Sequence, residues 1–162
     1  MAATSRLSSF WKLIICVLGC EAVGIISGLL SQPGMNNWFE NLNKPSWNPP
    51  SFIFGPVWTL LYLLMGVSLW LIWKSELPIQ QKKSGMVIFA LQLLFNFWWS
   101  ILFFAFHEPL FALFNIAAML IAIILTIFHF APISRVAAWL LVPYVSWVSF
   151  ATILNYTIWS LN

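Results

Sequence analysis

The sequence predicts an all-α membrane protein, a bundle of five transmembrane helices with a long structured loop between the first and the second. Three observations lead there. Of the 162 residues, 62% are hydrophobic and only 7% are charged, more apolar surface than a soluble domain of this size can bury. The apolar runs are continuous rather than alternating, which excludes a β-barrel. Five such runs each hold roughly 20 residues or more, enough to cross a hydrocarbon core of about 30 Å. The chain reads as a single domain over residues 1–162, with no sequence repeat and no low-complexity tail. The formal charge of +3 is small and reflects membrane topology rather than nucleic-acid binding.

The first span is expected over about residues 7–30. Arg6 and Lys12 flank it as they would a signal peptide, but Glu21 interrupts the apolar region and no convincing cleavage site follows, so the helix is retained. Glu21, Gly24 and Gly28 share a face, where small residues allow close approach and an acid turns inward. Cys16 and Cys20, four residues apart, read as small apolar packing residues. Residues 31–50 read as a polar loop containing Pro33-Gly34, in which Trp38 and Phe39 anchor a short interfacial helix.

The second span, about residues 51–73, follows Pro45, Pro49 and Pro50, which hold the preceding segment extended. Pro56 sits in its first turns, where proline is tolerated. Trp70 and Trp73, beside Lys74, mark its interfacial end. The third span, about residues 84–106, places Gln92, Asn96, Trp99 and Phe103 on one inward face. Gly85 and Ala90 make it a weak candidate for a dimer face. A short turn, His107-Glu108-Pro109, leads to the fourth span, about residues 110–130, whose one clearly polar interior residue is Asn115. The fifth span, about residues 135–160, contains Pro143, which frees the carbonyl of Trp139 and kinks the helix. Beyond it Tyr144, Trp147, Ala151 and Leu154 form one face.

Five spans put the termini on opposite sides. Arg6, Lys12, Lys74, Lys82, Lys83 and Arg135 share one side, and Lys44 alone lies on the other. The positive-inside rule then makes the amino terminus cytoplasmic and the carboxyl terminus external. Without a clear transit peptide, the expected location is a bacterial inner membrane.

The strongest constellation is aromatic. Trp47 in the loop, Trp58 and Tyr62 on the second span, Trp99 on the third and Trp147 on the fifth can converge on a flat ligand, or they can simply fill gaps between helices. Glu21, Asn96 and Asn115 can bind a polar edge, relay protons or join helices. His107 and His129 lack partners at metal-ligand spacing, so no metal is expected. No nucleophile–base pair, phosphate loop or acid pair is present to suggest a hydrolase or kinase.

Several segments resemble the translocator protein family, also called tryptophan-rich sensory proteins. They are Lys44-Pro45-Ser46-Trp47-Asn48-Pro49-Pro50, Phe54-Gly55-Pro56-Val57-Trp58-Thr59, Leu61-Tyr62 and Met65-Gly66. Gln92-Leu93, Asn96 and Trp99 add to these, as do Ala138-Trp139-Leu140-Leu141, Pro143-Tyr144, Trp147, Phe150-Ala151-Thr152 and Leu154-Asn155-Tyr156. The resemblance covers nearly the whole chain. It implies a five-helix bundle, often a homodimer, that binds porphyrins or haem-like tetrapyrroles beneath the loop after the first helix. No further cofactor is required. The implied ligand-binding residues are Trp47, Trp58, Tyr62, Asn96, Trp99, Phe111, Trp147, Ala151 and Leu154.

The leading expectation is a receptor or regulator. One alternative is an enzyme degrading porphyrin in light, with Trp58 and Trp147 as its catalytic residues; another is a transporter of porphyrins or other lipophiles. Two departures bear on function. The sterol-recognition pattern of animal members is incomplete, because Ser160 stands where a basic residue is expected after Leu154 and Tyr156. Asn115 stands where relatives commonly carry an acid, which counts against proton-coupled transport.

Overall fold

The computed structural model describes residues 8–162; Arg6 and the first residue of the expected first span lie outside them. The helices are α1 (Ser9–Asn36), α2 (Ser51–Lys74), α3 (Ile79–Ser100), α4 (Pro109–Phe130), α5 (Arg135–Leu140) and α6 (Val142–Leu161). Taken together, α5 and α6 make the fifth span, and five helical segments are long and apolar enough to cross a membrane. Side chains such as Leu18, Leu29, Phe114, Phe128 and Trp139 are exposed on the outside of the bundle, as an integral multi-pass protein in lipid requires.

The ends of the spans depart from the expected positions for local reasons. Helix α1 runs six residues beyond residue 30 and carries Pro33 in its last turns. Two residues draw that end inward: Ser31 Oγ lies 2.9 Å from Ser100 Oγ, and Gly34 packs on the backbone carbonyl of Phe104. The loop therefore begins only at Asn37, and its short helical turn is Phe39–Asn41, as Trp38 and Phe39 suggested. Helix α3 begins five residues before residue 84. Lys82 reaches back from it to the carbonyls of Trp73 (3.1 Å) and Ser75 (2.8 Å), tying the α2–α3 connector down.

At its far end α3 loosens into a π-helical turn, Ile101–Ala105, closed by Phe106 N–H donating to Ile101 O at 2.9 Å. This widening turns Phe103 and Phe104 together, with ring centroids 4.8 Å apart. His107 follows with φ 58°, the left-handed conformation that reverses the chain before Pro109. The fifth span breaks where proline predicted a kink: α5 ends at Leu140 and α6 starts at Val142, with Leu141 at the junction. Ser68 Oγ donates to Ala137 O at 2.8 Å, so α2 holds α5 at the break.

Two apolar cores result. The larger runs through Tyr62, Met65, Phe89, Met119, Ile123 and Val148. The smaller, around Phe103, Ala112, Leu154 and Ile158, lies under the loop and is walled by Trp38, Phe39, Phe54 and Trp99. At the opposite end Trp70 Nε1 donates to Ser9 O (2.9 Å), with Lys74 Nζ 3.8 Å from the Trp70 ring centroid. These contacts join the start of α1 to the end of α2. Gly85 is buried against His129 and Phe130 of α4, so it does not serve an external face; Ala90 is exposed. Cys16 and Cys20 are buried free thiols.

Candidate functional site

Between the two cores and the loop lies a cavity of about 270 Å³. Its walls come from the end of α1, the Phe39–Asn41 turn, the start of α2, the end of α3 with its π turn, and α6. Trp58, Trp99 and Trp147 reach it from three different elements, joined by Phe54, Phe103, Ala151 and Leu154. Trp58 packs on Tyr62 (5.7 Å between centroids), Trp99 (6.1 Å) and Tyr144 (6.4 Å). Trp147 packs instead on Phe54 (5.9 Å) and Phe150 (5.4 Å). The two tryptophans expected to flank a ligand thus stand on separate walls, one on α2 and one on α6.

Tyr62 and Asn96 sit beneath the cavity. Tyr62 O–H donates to Asn96 Oδ1, and Asn96 Nδ2 donates to Tyr144 Oη at 2.8 Å. Tyr144 O–H donates in turn to Gln92 Oε1 at 2.7 Å. Asn96 is 2% exposed and bonded through both polar atoms of its amide, so it is a floor beam joining Tyr62 to Tyr144. Gly24 explains how Tyr62 fits: a Cβ there would collide with the tyrosine ring.

Trp47 and Phe111 stand apart from the cavity. Trp47 is 46% exposed and rests edge-on against Phe150 at 5.9 Å. The loop meets the cavity through Phe39 and Glu40 instead. Phe111 is 59% exposed on the outer side of α4. Of the nine expected residues, the structure gathers Trp58, Trp99, Trp147, Ala151 and Leu154 as lining and places Tyr62 and Asn96 as support.

Asn155, named above only within the segment Leu154-Asn155-Tyr156, is also a lining residue. It accepts from Trp99 Nε1 at 3.0 Å and donates to Pro109 O at 2.8 Å, which orients the indole and ties α6 to the start of α4. The four-three-four spacing of Tyr144, Val148, Ala151 and Asn155 was the available signal, since it places Asn155 on the inward stripe.

The loop is fastened near its middle. Lys44 Nζ donates to the carbonyls of Phe39 (2.6 Å) and Glu40 (3.0 Å). Asn43 N–H donates to Asn162 Oδ1 (2.9 Å), and Asn162 Nδ2 returns a bond to Asn43 O (3.0 Å). Trp38 stacks on His107 at 4.7 Å, so that histidine supports the root of the loop. His129 lies about 30 Å away at the other end of α4. Among the described residues no three His, Cys, Asp or Glu side chains gather as a metal site.

The family model described as TspO/MBR family matches residues 16–160. The chain is 41% identical over 150 residues to "Tryptophan-rich protein TspO" of Chlorobaculum tepidum, covering 93% of this chain and 95% of that protein. It is 36% identical over 126 residues to the Homo sapiens "Translocator protein", covering 77% and 75%. It is 32% identical over 152 residues to the "Tryptophan-rich sensory protein" of Cereibacter sphaeroides, covering 94% and 92%. Matched across nearly its whole length, and folded into five membrane-spanning segments around an aromatic cavity, the chain belongs to the TspO/MBR family of integral membrane proteins.

Proposed function

We propose that this protein is a membrane receptor or regulator that binds porphyrins or related tetrapyrroles in the cavity beneath the loop. The observation that carries the reading is the arrival of Trp58, Trp99 and Trp147 from α2, α3 and α6 at one apolar space. Indole faces stack on flat π-systems and exclude water, which is how an apolar site recognises a conjugated ring. At about 270 Å³ the cavity is near the small end for ligand sites, so a macrocycle enters only as the Phe39–Asn41 turn and the loop behind it lift. The loop is attached to the end of α6 by exposed hydrogen bonds between Asn43 and Asn162 near its middle, which can open as it lifts. On charge, the same reading makes the amino terminus cytoplasmic in a bacterial inner membrane, with Lys12, Lys74, Lys82, Lys83 and Arg135 inside and Lys44 outside.

The test is a dark titration of the purified protein with protoporphyrin, followed by quenching of tryptophan fluorescence. Saturable quenching that weakens in Trp58→Ala and Trp99→Ala supports the reading. Linear, unsaturable quenching in the wild type refutes it.

A further inference from the structure

Trp38 stands one residue before the Phe39–Asn41 turn, whose Phe39 and Glu40 line the cavity. Two rings of the bundle hold its indole. Phe103, itself a lining residue, meets it edge-on with centroids 5.7 Å apart. His107 lies nearly parallel to it, with 4.7 Å between centroids and 18° between planes. The imidazole is fixed in that position from behind. Among the described residues His107 is the only one with positive φ, and the backbone on either side of it is tied to the π turn. Phe106 N–H donates to Ile101 O and Glu108 N–H to Leu102 O, both at 2.9 Å. His107 Nε2 lies on the Gly34 side, 3.3 Å from where a Cβ at Gly34 would stand. An exposed imidazole anchored to the bundle is thus laid flat on the indole from which the loop departs.

We propose that His107 is a proton-sensing latch on the loop, holding Trp38 and the turn after it over the cavity more firmly when the imidazole is charged. Histidine is the side chain whose charge ordinarily changes between about pH 5 and 8. A cation over an indole face is attracted by the ring quadrupole, and tryptophan is the strongest aromatic partner; a neutral imidazole on the same face gains packing alone. The extra attraction is therefore present on the acid side and is lost as the pH rises through the imidazole's titration. The turn then lifts more often. Few other charges bear on the contact. The last turns of α1, the π turn and the first turn of α4 carry none, which leaves Glu108 next in sequence and Glu40 and Lys44 in the loop. Lys44 is already engaged by the carbonyls of Phe39 and Glu40. The latch itself is a property of the loop; its effect on ligand entry rests on the cavity being a ligand site, as argued above.

Hydrogen exchange of the full chain in lipid nanodiscs tests the latch, with each amide's rate divided by its intrinsic rate at the same pH. Protection of residues 37–42 is expected to be about two- to fivefold higher at about pH 5.5 than at about pH 7.5, the fold-change equivalent to one exposed cation–π contact, with no such change in the helices. His107→Asn keeps a residue type that tolerates positive φ and removes the charge, so it should abolish the dependence. Trp38→Leu removes the ring face and should do the same. Glu40→Gln and Glu108→Gln should retain it. Loop protection that does not vary with pH in the wild type overturns the latch. So does a dependence that survives in His107→Asn or disappears in either glutamine variant. Entry is read with pyrene, a flat hydrocarbon with no titrating group, by stopped-flow energy transfer from tryptophan. Association should be about two- to fivefold slower at the lower pH, and equal rates overturn the control of the cavity by the latch. Absence of saturable protoporphyrin binding refutes the cavity reading and leaves the exchange result standing, so the two failures are told apart.

Discussion

Gly34 offers the sharpest test of how the cavity wall is built. A methyl group there would overlap the Phe104 carbonyl oxygen, with the carbonyl carbon 2.6 Å away and His107 Nε2 at 3.3 Å. Backbone cannot rotate aside as a side chain can, so Gly34→Ala must push α1 away from the π-helical turn. Overpacking of this kind costs about 1–3 kcal/mol. The Ser31–Ser100 contact, one turn back, would stretch with it, and an interhelical hydrogen bond of this sort contributes about 0.6–1.7 kcal/mol. Against these stands the intrinsic gain of alanine over glycine in a helix, about 0.5–1 kcal/mol. The expected net loss is about 0.6–4 kcal/mol, centred near 2 kcal/mol. Gly28→Ala is the matched control, because a Cβ at Gly28 on the same helix meets nothing within 4 Å. That variant should be neutral or slightly stabilised. Unfolding of both variants in mixed micelles with increasing SDS, followed by circular dichroism, reads the difference. If the two variants unfold together, the close approach of α1 to the π turn is not what holds this end of the bundle.

Three further outcomes follow from the geometry. Asn96→Leu removes a two-sided link between Tyr62 and Tyr144 and should destabilise the bundle by about 1–3 kcal/mol, measured by the same SDS titration; a neutral effect would remove the floor beam from the account. Phe111→Ala should leave protoporphyrin affinity within about twofold of wild type, since the side chain faces outward, whereas Trp99→Ala should weaken it tenfold or more by opening a wall; similar losses in both would contradict the cavity assignment. Asn162→Ala removes the partner of Asn43 and should raise amide hydrogen exchange in residues 39–48 severalfold without moving the global unfolding midpoint, as expected for an exposed local latch; unchanged exchange would place the loop's restraint elsewhere.

Much of this architecture is legible in the sequence because lipid imposes simple demands. An apolar run long enough to cross the membrane, ended by lysines, tryptophans or prolines, locates a helix within a few residues; α2 and α4 match their expected ranges to within one residue at each end. The inward stripe of Gln92, Asn96, Trp99 and Phe103 was readable for the same reason, since polar atoms in lipid must face a partner. What was not readable depends on contacts between distant segments. Helix α1 continues through Pro33 because Ser31 and Gly34 find α3 and its π turn. That turn itself, created as α3 widens at Ile101, has no marker in its composition of Ile, Leu, Phe and Ala. The bonding of Asn96 to both Tyr62 and Tyr144 is of the same kind, a contact between distant segments. Sequence shows which residues carry donors and acceptors, but only packing shows which of them have been used. Phe111 and Trp47 illustrate the converse, aromatic residues in an aromatic-rich chain whose directions were set by helix rotation and loop path.

The break at Leu141 has a consequence for how such a protein can change over generations. A continuous fifth helix would be one rigid rod, and any substitution altering its tilt would be felt along its full length. Here α5 is fastened to α2 through Ser68 and Ala137, while α6 carries Trp147, Ala151, Leu154 and Asn155. The two halves can therefore drift separately. Substitutions near α5 act on its fastening to α2, and substitutions on the cavity face of α6 act on the shape of the cavity wall. A short helix joined end to end with a longer one thus loosens the coupling between the anchoring of α5 on α2 and the shape of the cavity wall on α6, which a single rod would force to vary together.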